Sequence, residues 1–252
     1  MPALDVHQVK ALTDNYAVIV HDAATGTTAS IDAPDAAVVA KACADRGWTL
    51  THILVTHHHW DHTAGIADLK QQFGAMAIGP AGESHKIAGL DHLVREGDTV
   101  EVGGARYSVI ETPGHTLGHI AFIERANGLA FVGDTLFAMG CGRVIEGDYA
   151  MMWGSLRKIM ALPPDTMVFC GHNYDAANAQ FAVTIDPGNA ALKARAQRAI
   201  AGETSVPMRL SDELATNPFL RADTPEVRAA VGLPDAPAWK VFGEIRDRKN
   251  RS

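Results

Sequence analysis

The sequence predicts an α/β protein in two parts, a sheet-rich domain over residues 1–172 and a smaller helical domain over residues 173–252. Two observations carry this prediction. As far as residue 172, short segments rich in β-branched and aromatic residues alternate with turns and a few helical segments, which is typical of an α/β domain. Beyond Asn173 the strand-like segments stop, and apolar residues recur with helical spacing.

Nine segments of the first domain have the composition of strands, because each is a short apolar run bounded by turn-forming residues. The glycine pair at 103–104 and the Asn127–Gly128 pair predict tight hairpin turns. In chain order the segments are YAVIV, TASID, HILVT, AMAIG, TVEV, ARYSVIET, HIAFIE, LAFVGD and MVFCG.

Helical spacing marks seven further segments, three in the first domain and four in the second. Gly47 and Gly74 end the first two helices, and Pro163 with Pro164 stops the third. In chain order the segments are DAAVVAKACADRG, GIADLKQQFG, YAMMWGSLRKIMALPP, DAANAQFAVTI, NAALKARAQRAIAG, TPEVRAAVG and APAWKVFGEIRDRKNR.

The composition is that of an ordinary soluble globular protein. Apolar residues make up 47% of the 252 residues, and 22 basic against 29 acidic residues give a formal charge of −7, whereas a nucleic-acid binder would more often be basic. The first residues lack the basic leader and apolar core of a signal peptide, and no apolar run approaches about 20 residues. We therefore expect a cytoplasmic monomer with neither nucleic acid nor membrane as a partner.

The three cysteines are Cys43, Cys141 and Cys170, an odd number spread far apart along the chain. They form neither a disulfide framework nor a closely spaced metal-binding pair. We expect three reduced and buried thiols.

Four histidines and an aspartate are crowded into His57–His62, within the stretch VTHHHWDHTAG. Neighbouring imidazoles that carry charge repel one another, so the cluster favours a metal ion that binds their neutral form. The cluster follows a predicted strand and precedes a predicted helix, so we expect it on a loop at the strand's carboxyl end. His57 and His59, two residues apart, point the same way if the strand geometry persists, and Asp61 could reach a second ion.

Three more metal-capable side chains follow predicted strands. His115 comes after ARYSVIET, Asp134 ends LAFVGD, and His172 comes after MVFCG. A glycine precedes each of them and lets the backbone approach closely. Because four separate loops carry ligand types for the same metals, the sequence predicts a metal centre.

Together these motifs resemble the metallo-β-lactamase superfamily and, within it, the hydroxyacylglutathione hydrolase (glyoxalase II) family. The superfamily pattern is HxHxDH followed by His, Asp and His at strand ends. The resemblance implies a metallo-β-lactamase-like αββα sandwich with a smaller C-terminal helical domain. The narrower resemblance extends from residue 12 to residue 221 and rests on LTDNY, THHHWDH, GDTLF, GCGR, LPPDT, GHNY, DPGNAAL and NPFLR.

The resemblance implies a site for two divalent metal ions. His57, His59 and His115 would hold one ion, and Asp61, His62 and His172 the other. Asp134 and a solvent molecule would bridge both. Five imidazoles and two carboxylates suit Zn²⁺ or Fe²⁺ better than Mg²⁺ or Ca²⁺, which prefer oxygen ligands. Zinc is the expected metal, with iron or manganese as alternatives.

The implied activity is hydrolysis of S-(2-hydroxyacyl)glutathione, S-D-lactoylglutathione in particular, to a 2-hydroxy acid (D-lactate) and glutathione, in the glyoxalase pathway of methylglyoxal detoxification. Two ions about 3.5–4 Å apart depress the pKa of a shared water, and the bridging hydroxide attacks the thioester carbonyl. A thiol of pKa about 8.5 leaves readily as thiolate, so no general acid is required. Asp61 and Asp134 are the candidate catalytic residues, with Asp61 also orienting the hydroxide.

Glutathione carries two carboxylates, and the last 13 residues hold five basic against two acidic side chains. By resemblance, Arg246 and Lys249, three apart on one helix face, match the pair that contacts the glycine carboxylate. Arg143 in GCGR and Tyr174 in GHNY match two further contact positions. Ile145 stands where the family usually has an aromatic residue, which predicts weaker glutathione binding.

Two other functions are compatible with the motifs. A persulfide dioxygenase of the same fold would use a single iron, and metal stoichiometry and oxygen consumption would identify it. A non-catalytic glutathione-binding or metal-binding module is the other alternative. The intact ligand set argues against the module, and the helical extension with DPGNAAL favours the hydrolase over the dioxygenase.

Overall fold

The computed structural model describes residues 4–252, within which the chain forms two compact units. Unit 1 comprises the chain through Glu111 together with Thr116–Gly133, and unit 2 comprises Thr112–His115 together with Asp134–Ser252. The domain boundary between residues 172 and 173 stays a prediction.

Unit 1 contains a six-stranded sheet that is antiparallel at one end and parallel at the other. The first three strands pair as an antiparallel meander, and the third to sixth pair in parallel. Parallel strands are joined by crossover connections, so they all run in the same direction. The loops that follow these strands therefore lie at the same edge of the sheet, at the carboxyl ends of the strands. The strands are β1 (Leu4–Ala11), β2 (Asn15–Asp22), β3 (Thr27–Ile31), β4 (His52–Leu54), β5 (Met76–Pro80) and β6 (His92–Val94).

Helices occupy the crossovers of this sheet. Asp35 caps the first helix by accepting a hydrogen bond from the Val38 backbone N–H at 3.1 Å, and Gly74 ends the third with a left-handed φ of 67°. Their apolar faces share one buried core with β2 and β4. The helices are α1 (Ala36–Asp45), α2 (Trp60–Thr63) and α3 (Ile66–Phe73), and a 3₁₀ turn (Ala81–Glu83) follows β5.

The second sheet of unit 1 is an antiparallel meander whose two hairpin turns the sequence predicts correctly. Gly103 and Gly128 occupy these turns with φ values of 61° and 67°. Asp22, at the end of β2, accepts a hydrogen bond from the Gly104 backbone N–H at 2.8 Å and so joins the two sheets. The strands are β7 (Thr99–Val102), β8 (Ala105–Glu111), β9 (Ile120–Glu124) and β10 (Leu129–Phe131).

Unit 2 is mostly helical. It contains two short antiparallel pairs, β11 (Leu136–Phe137) with β12 (Gly140–Cys141) and β13 (Met167–Phe169) with β14 (Met208–Arg209). A cluster of small and aliphatic side chains packs α5 against α6. The helices are α4 (Tyr149–Met160), α5 (Asp175–Ile185), α6 (Ala190–Ile200), α7 (Leu210–Thr216), α8 (Pro225–Ala230) and α9 (Ala238–Asn250).

A buried polar network in unit 2 holds the β11–β12 hairpin. Glu213 is fully buried, pairs with Arg195 and accepts a hydrogen bond from the Met139 backbone N–H at 2.9 Å. The side-chain amide of Asn217 donates to the Phe137 and Gly140 carbonyls at 3.2 and 2.9 Å. Because each buried group has a partner, the network fixes the hairpin that follows Asp134.

All nine predicted strands and all seven predicted helices are present, with ends that shift by a few residues. Two predictions were wrong. Strands do not stop at Asn173, because Met208–Arg209 forms β14, and the His57–His62 segment is not wholly a loop, because α2 begins at Trp60. The structure also contains β1, β6, β11, β12 and α7, which the sequence pattern does not predict.

The three cysteines are free and buried, as predicted. Burial raises the pKa of the Cys43 and Cys141 thiols to about 11 and that of Cys170 well above its ordinary value. Within residues 4–252, no helix is both long enough and apolar enough to cross a membrane.

Candidate metal-binding side chains

The segment after β4 presents the first four predicted ligands as two pairs. His57 is fully buried, and its Nε2 lies 3.1 Å from Nδ1 of His59. In α2, Nε2 of His62 lies 3.7 Å from Oδ2 of the adjacent Asp61. Within unit 1, His57 therefore lies beside His59, and Asp61 lies beside His62; their role as metal ligands stays a prediction.

Asp32, which no sequence motif indicates, orients this segment. Its Oδ1 accepts a hydrogen bond from the Thr56 backbone N–H at 2.7 Å, and its Oδ2 lies 2.9 Å from the Thr56 hydroxyl and 2.7 Å from Nδ1 of His62. An imidazole that donates its Nδ1 proton to a carboxylate turns its Nε2 lone pair towards a metal. Asp32 has a φ of 57°, a left-handed conformation that aspartate tolerates better than most residues.

Asn15 and His119 also contact predicted ligands of unit 1. The Asn15 side-chain amide donates to Oδ2 of Asp61 at 3.0 Å and to its carbonyl at 3.1 Å. The His119 ring stacks on the His57 ring with centroids 4.7 Å apart. Asn15 belongs to LTDNY, one of the motifs that carry the family resemblance, but the motif alone does not indicate a contact with Asp61.

The other three predicted ligands meet within unit 2. Oδ2 of Asp134 lies 3.3 Å from Nε2 of His115 and 3.2 Å from Nε2 of His172, and all three side chains are buried. His115 donates from Nδ1 to the Arg143 carbonyl at 2.8 Å, which fixes the ring and leaves Nε2 facing the carboxylate.

The residues just before His115 and Asp134 are glycines, at positions where a side chain would collide with its neighbours. Gly114 has a φ of 143°, and a Cβ there would lie 2.8 Å from Cβ of Met152. Gly133 has a φ of 47°, and a Cβ there would lie 2.6 Å from the Thr56 hydroxyl. The backbone beside His115 and Asp134 therefore requires glycine, as the sequence indicated.

The four predicted substrate contacts differ in their surroundings. Arg143 is exposed, and Tyr174 is 36% exposed with its ring stacked on His172 at 5.0 Å. Arg246 is only 6% exposed and donates to the Cys141 carbonyl at 3.0 Å. Lys249 donates to the Ala177 carbonyl at 2.9 Å, and burial lowers its pKa.

The chemistry of these donors fits a borderline divalent metal. In each unit, imidazole nitrogens lie 3.1–3.7 Å from another imidazole nitrogen or from a carboxylate oxygen. Most of these side chains are buried, and a buried polar atom without a partner costs free energy. Imidazole with a few carboxylates is the ligand set of zinc, iron and manganese rather than of calcium or magnesium. These residues therefore support divalent metal binding, while the identity and number of the ions stay predictions.

Comparison with known proteins assigns both parts of the chain. Residues 13–172 match the family model of the metallo-beta-lactamase superfamily, and residues 173–252 match that of the hydroxyacylglutathione hydrolase C-terminus. A hydroxyacylglutathione hydrolase of Rhodopseudomonas palustris (strain BisB5) is 51% identical over 99% of this chain and 100% of its own length. The protein of the same name from Methylococcus capsulatus is 48% identical over 98% of both chains.

Solved structures show the same fold at lower identity. The crystal structure of ETHE1 from Myxococcus xanthus superposes with a TM-score of 0.68 and 24% identity, covering 97% of this chain and 98% of that one. The BLEG-1 B3 metallo-beta-lactamase superposes with a TM-score of 0.67 and 21% identity, covering 86% of this chain and 99% of that one. These likenesses concern the fold alone.

Proposed function

Because the chain belongs to the hydroxyacylglutathione hydrolase family of the metallo-β-lactamase superfamily, we propose that it converts S-(2-hydroxyacyl)glutathione and water to a 2-hydroxy acid and glutathione. One observation supports this proposal above all: proteins named hydroxyacylglutathione hydrolase are 51% identical in sequence to this chain over 98–99% of its length. The predicted fold class, an αββα sandwich with a smaller C-terminal helical domain, is confirmed with the family.

The proposed metal site uses all seven predicted ligands and holds two divalent ions, with zinc as the expected metal. The two carboxylates and five imidazoles support this proposal, since each is held by at least one described neighbour. Bound there, such ions would strongly lower the pKa of a coordinated water, towards about 7, and would polarise a carbonyl oxygen.

The chain's own residues then orient the reactants. Asp61, held by the Asn15 amide, orients the nucleophilic water, and Asp134 is the second candidate catalytic carboxylate. The leaving group is a thiol, so it departs as thiolate without a proton from the protein. We propose that Arg143, Tyr174, Arg246 and Lys249 bind the glutathione moiety and its carboxylates.

The test is hydrolysis of S-D-lactoylglutathione by protein whose bound metals have been counted. We expect turnover with two ions per chain. Asp134→Ala should reduce turnover at least 100-fold, because changing a residue that only orients a ligand already costs about 10–100-fold. Asp223→Ala removes an exposed carboxylate of the same unit and should leave the rate unchanged.

Other results would identify other functions. Full metal loading without hydrolysis would indicate a different substrate for the same fold. A single iron with oxygen uptake would indicate the persulfide dioxygenase, and metal or glutathione binding without any turnover would indicate a binding module. The monomeric state and the cytoplasmic location stay sequence predictions.

A further inference from the structure

A buried carboxylate lies behind the His57–His62 segment. Glu83 is the last residue of the 3₁₀ turn after β5, and it is only 2% exposed. Nothing in the sequence pattern marks it, because a single glutamate in a polar connection is ordinarily a surface residue. A buried carboxylate requires hydrogen-bond donors around it, so its partners indicate what it does.

Both carboxylate oxygens of Glu83 accept hydrogen bonds from the ligand-bearing region of unit 1. Oε2 accepts from the His58 backbone N–H at 2.7 Å and lies 2.9 Å from Nδ1 of the same residue. Oε1 accepts from the Gly118 backbone N–H at 2.9 Å. His58 stands between His57 and His59, and a carboxylate that holds its backbone and its ring restrains both neighbours.

The contact with Gly118 extends this restraint to the segment before β9. A Cβ at Gly118 would lie 2.5 Å from Cγ of Glu83, so only glycine fits there. The next residue, His119, stacks its ring on His57 at 4.7 Å. Glu83 therefore acts on His57 from two directions, through the covalently adjacent His58 and through the ring of His119.

We propose that Glu83 is a positioning residue that holds His57 and His59 in a ligand-ready arrangement before the metal binds. This inference rests on the proposed metal site. Three charge-assisted hydrogen bonds restrict the segment in the metal-free protein, so less conformational freedom is lost when an ion is bound. The expected consequence of losing Glu83 is weaker metal binding in addition to lower stability.

Glu83→Gln tests the proposal with little change in side-chain volume. Both oxygens of Glu83 face backbone N–H groups, so either orientation of the amide places its NH₂ against a donor. We expect the affinity for Zn²⁺, measured by competition with a chromophoric chelator on metal-stripped protein, to fall about 10–100-fold.

Glu124→Gln is the matched control. Glu124 is 1% exposed in the same unit and accepts hydrogen bonds from the Ala126 and Asn127 backbone N–H groups, but it serves the β9–β10 turn. This variant should lose thermal stability and keep its Zn²⁺ affinity. The proposal is overturned if Glu83→Gln keeps the wild-type affinity, or if both variants lose affinity to the same extent.

His58→Ala decides the question if Glu83→Gln does not fold. It removes the ring contact and keeps both backbone donors, so we expect a smaller loss of Zn²⁺ affinity, about 3–10-fold. Unchanged affinity in this folded variant would overturn the proposal. Because the readout is Zn²⁺ binding alone, a failure of thioester hydrolysis would count against the proposed function and not against the role of Glu83.

Discussion

A single side chain, Ile145, is expected to limit the affinity for glutathione. It lies two residues after Arg143, is 54% exposed, and offers neither a hydroxyl nor an aromatic face at a position where the resemblance described above implies an aromatic residue. We predict that Ile145→Tyr lowers KM for S-D-lactoylglutathione about 3–10-fold, the value of one added hydrogen bond. Steady-state kinetics measure this directly.

Ile145→Leu is the control for this substitution, because it keeps an aliphatic side chain at the same exposed position. Its KM should equal that of the wild-type protein. An Ile145→Tyr variant whose KM is unchanged or higher would show that this position does not face the thiol portion of the substrate.

The sequence predicts the seven ligand positions at the residue scale, because few residue types bind these metals and they must follow strands. It does not predict the residues that contact these seven side chains or the segments that carry them. Asp32, Asn15 and Glu83 are common polar residues, and their roles depend on which loops the fold brings beside them. Only the path of the backbone in three dimensions identifies them.

At the scale of elements, helix α9 supports the β11–β12 hairpin through Arg246. Its guanidinium donates from Nη1 to the Cys141 carbonyl at 3.0 Å and from Nε to Asn250 at 3.0 Å, and it lies 5.3 Å from the Phe219 ring centroid. Tyr149, at the start of α4, donates a hydrogen bond to Asp247 of α9. α9 thus positions the loop that carries Arg143, in addition to its proposed contact with substrate.

Two substitutions in α9 should therefore behave differently. Arg246→Ala removes buried hydrogen bonds from a charged donor and should lower the free energy of unfolding by about 1.5–3 kcal/mol while reducing kcat. Lys249→Ala removes a half-buried amine and should raise KM with a smaller effect on stability. Urea unfolding and steady-state kinetics on both variants measure these quantities.

This assignment is wrong if Arg246→Ala unfolds at the wild-type urea concentration and changes KM alone. Arg251→Ala, which removes an exposed charge from the end of the same helix, should change neither quantity.

Most of the strands that the sequence does not predict are very short. β6, β11, β12 and β14 have two or three residues each, too few for an alternating pattern to be visible. β1 is longer but mostly half-buried, and it is defined by full-length pairing with β2 from Leu4 with Asp22 to Ala11 with Asn15. Pairing with a neighbour, rather than local hydrophobicity, determines these strands.

At the scale of the whole molecule, the fold class is predictable because its large elements follow periodic patterns and its motifs are specific. The nine predicted strands and seven predicted helices all form, and strand-rich and helix-rich regions occur in the expected order. The division into compact units is harder to predict, because Thr112–His115 and residues 134–172 group with the residues that follow position 172. Contacts between distant segments decide that grouping.

The acid stability of the molecule should depend on Asp22. Its carboxylate accepts hydrogen bonds from the Gly104 backbone N–H, the Thr25 hydroxyl and the Ala24 backbone N–H. These hydrogen bonds lower the pKa of Asp22, and the bond from Gly104 has the largest effect. A lowered pKa in the folded state gives stability that is present above the unfolded value of about 3.9 and is lost as pH falls through the folded value. We expect Asp22→Asn to be less stable by about 1–2 kcal/mol at pH 7.

The difference between Asp22→Asn and the wild-type protein should begin to shrink as the pH is lowered from 5 to 3, because the Asp22 carboxylate takes up a proton in the unfolded chain at a higher pH than in the folded protein. Urea unfolding across this range measures the difference. Asp98→Asn, a substitution at an exposed turn, is the control. A gap that stays constant with pH would show that the Asp22 contribution does not depend on ionisation.

The burial of all three cysteines has a consequence for a protein that releases glutathione with every turnover. Mixed disulfides with oxidised glutathione form by attack of a thiolate, and the raised pKa of Cys43, Cys141 and Cys170 keeps these thiols protonated near neutral pH. Burial also denies a bulky disulfide access to the sulfur atoms. The folded chain is therefore expected to resist S-glutathionylation during oxidative stress, when its product pool becomes a thiol-modifying reagent.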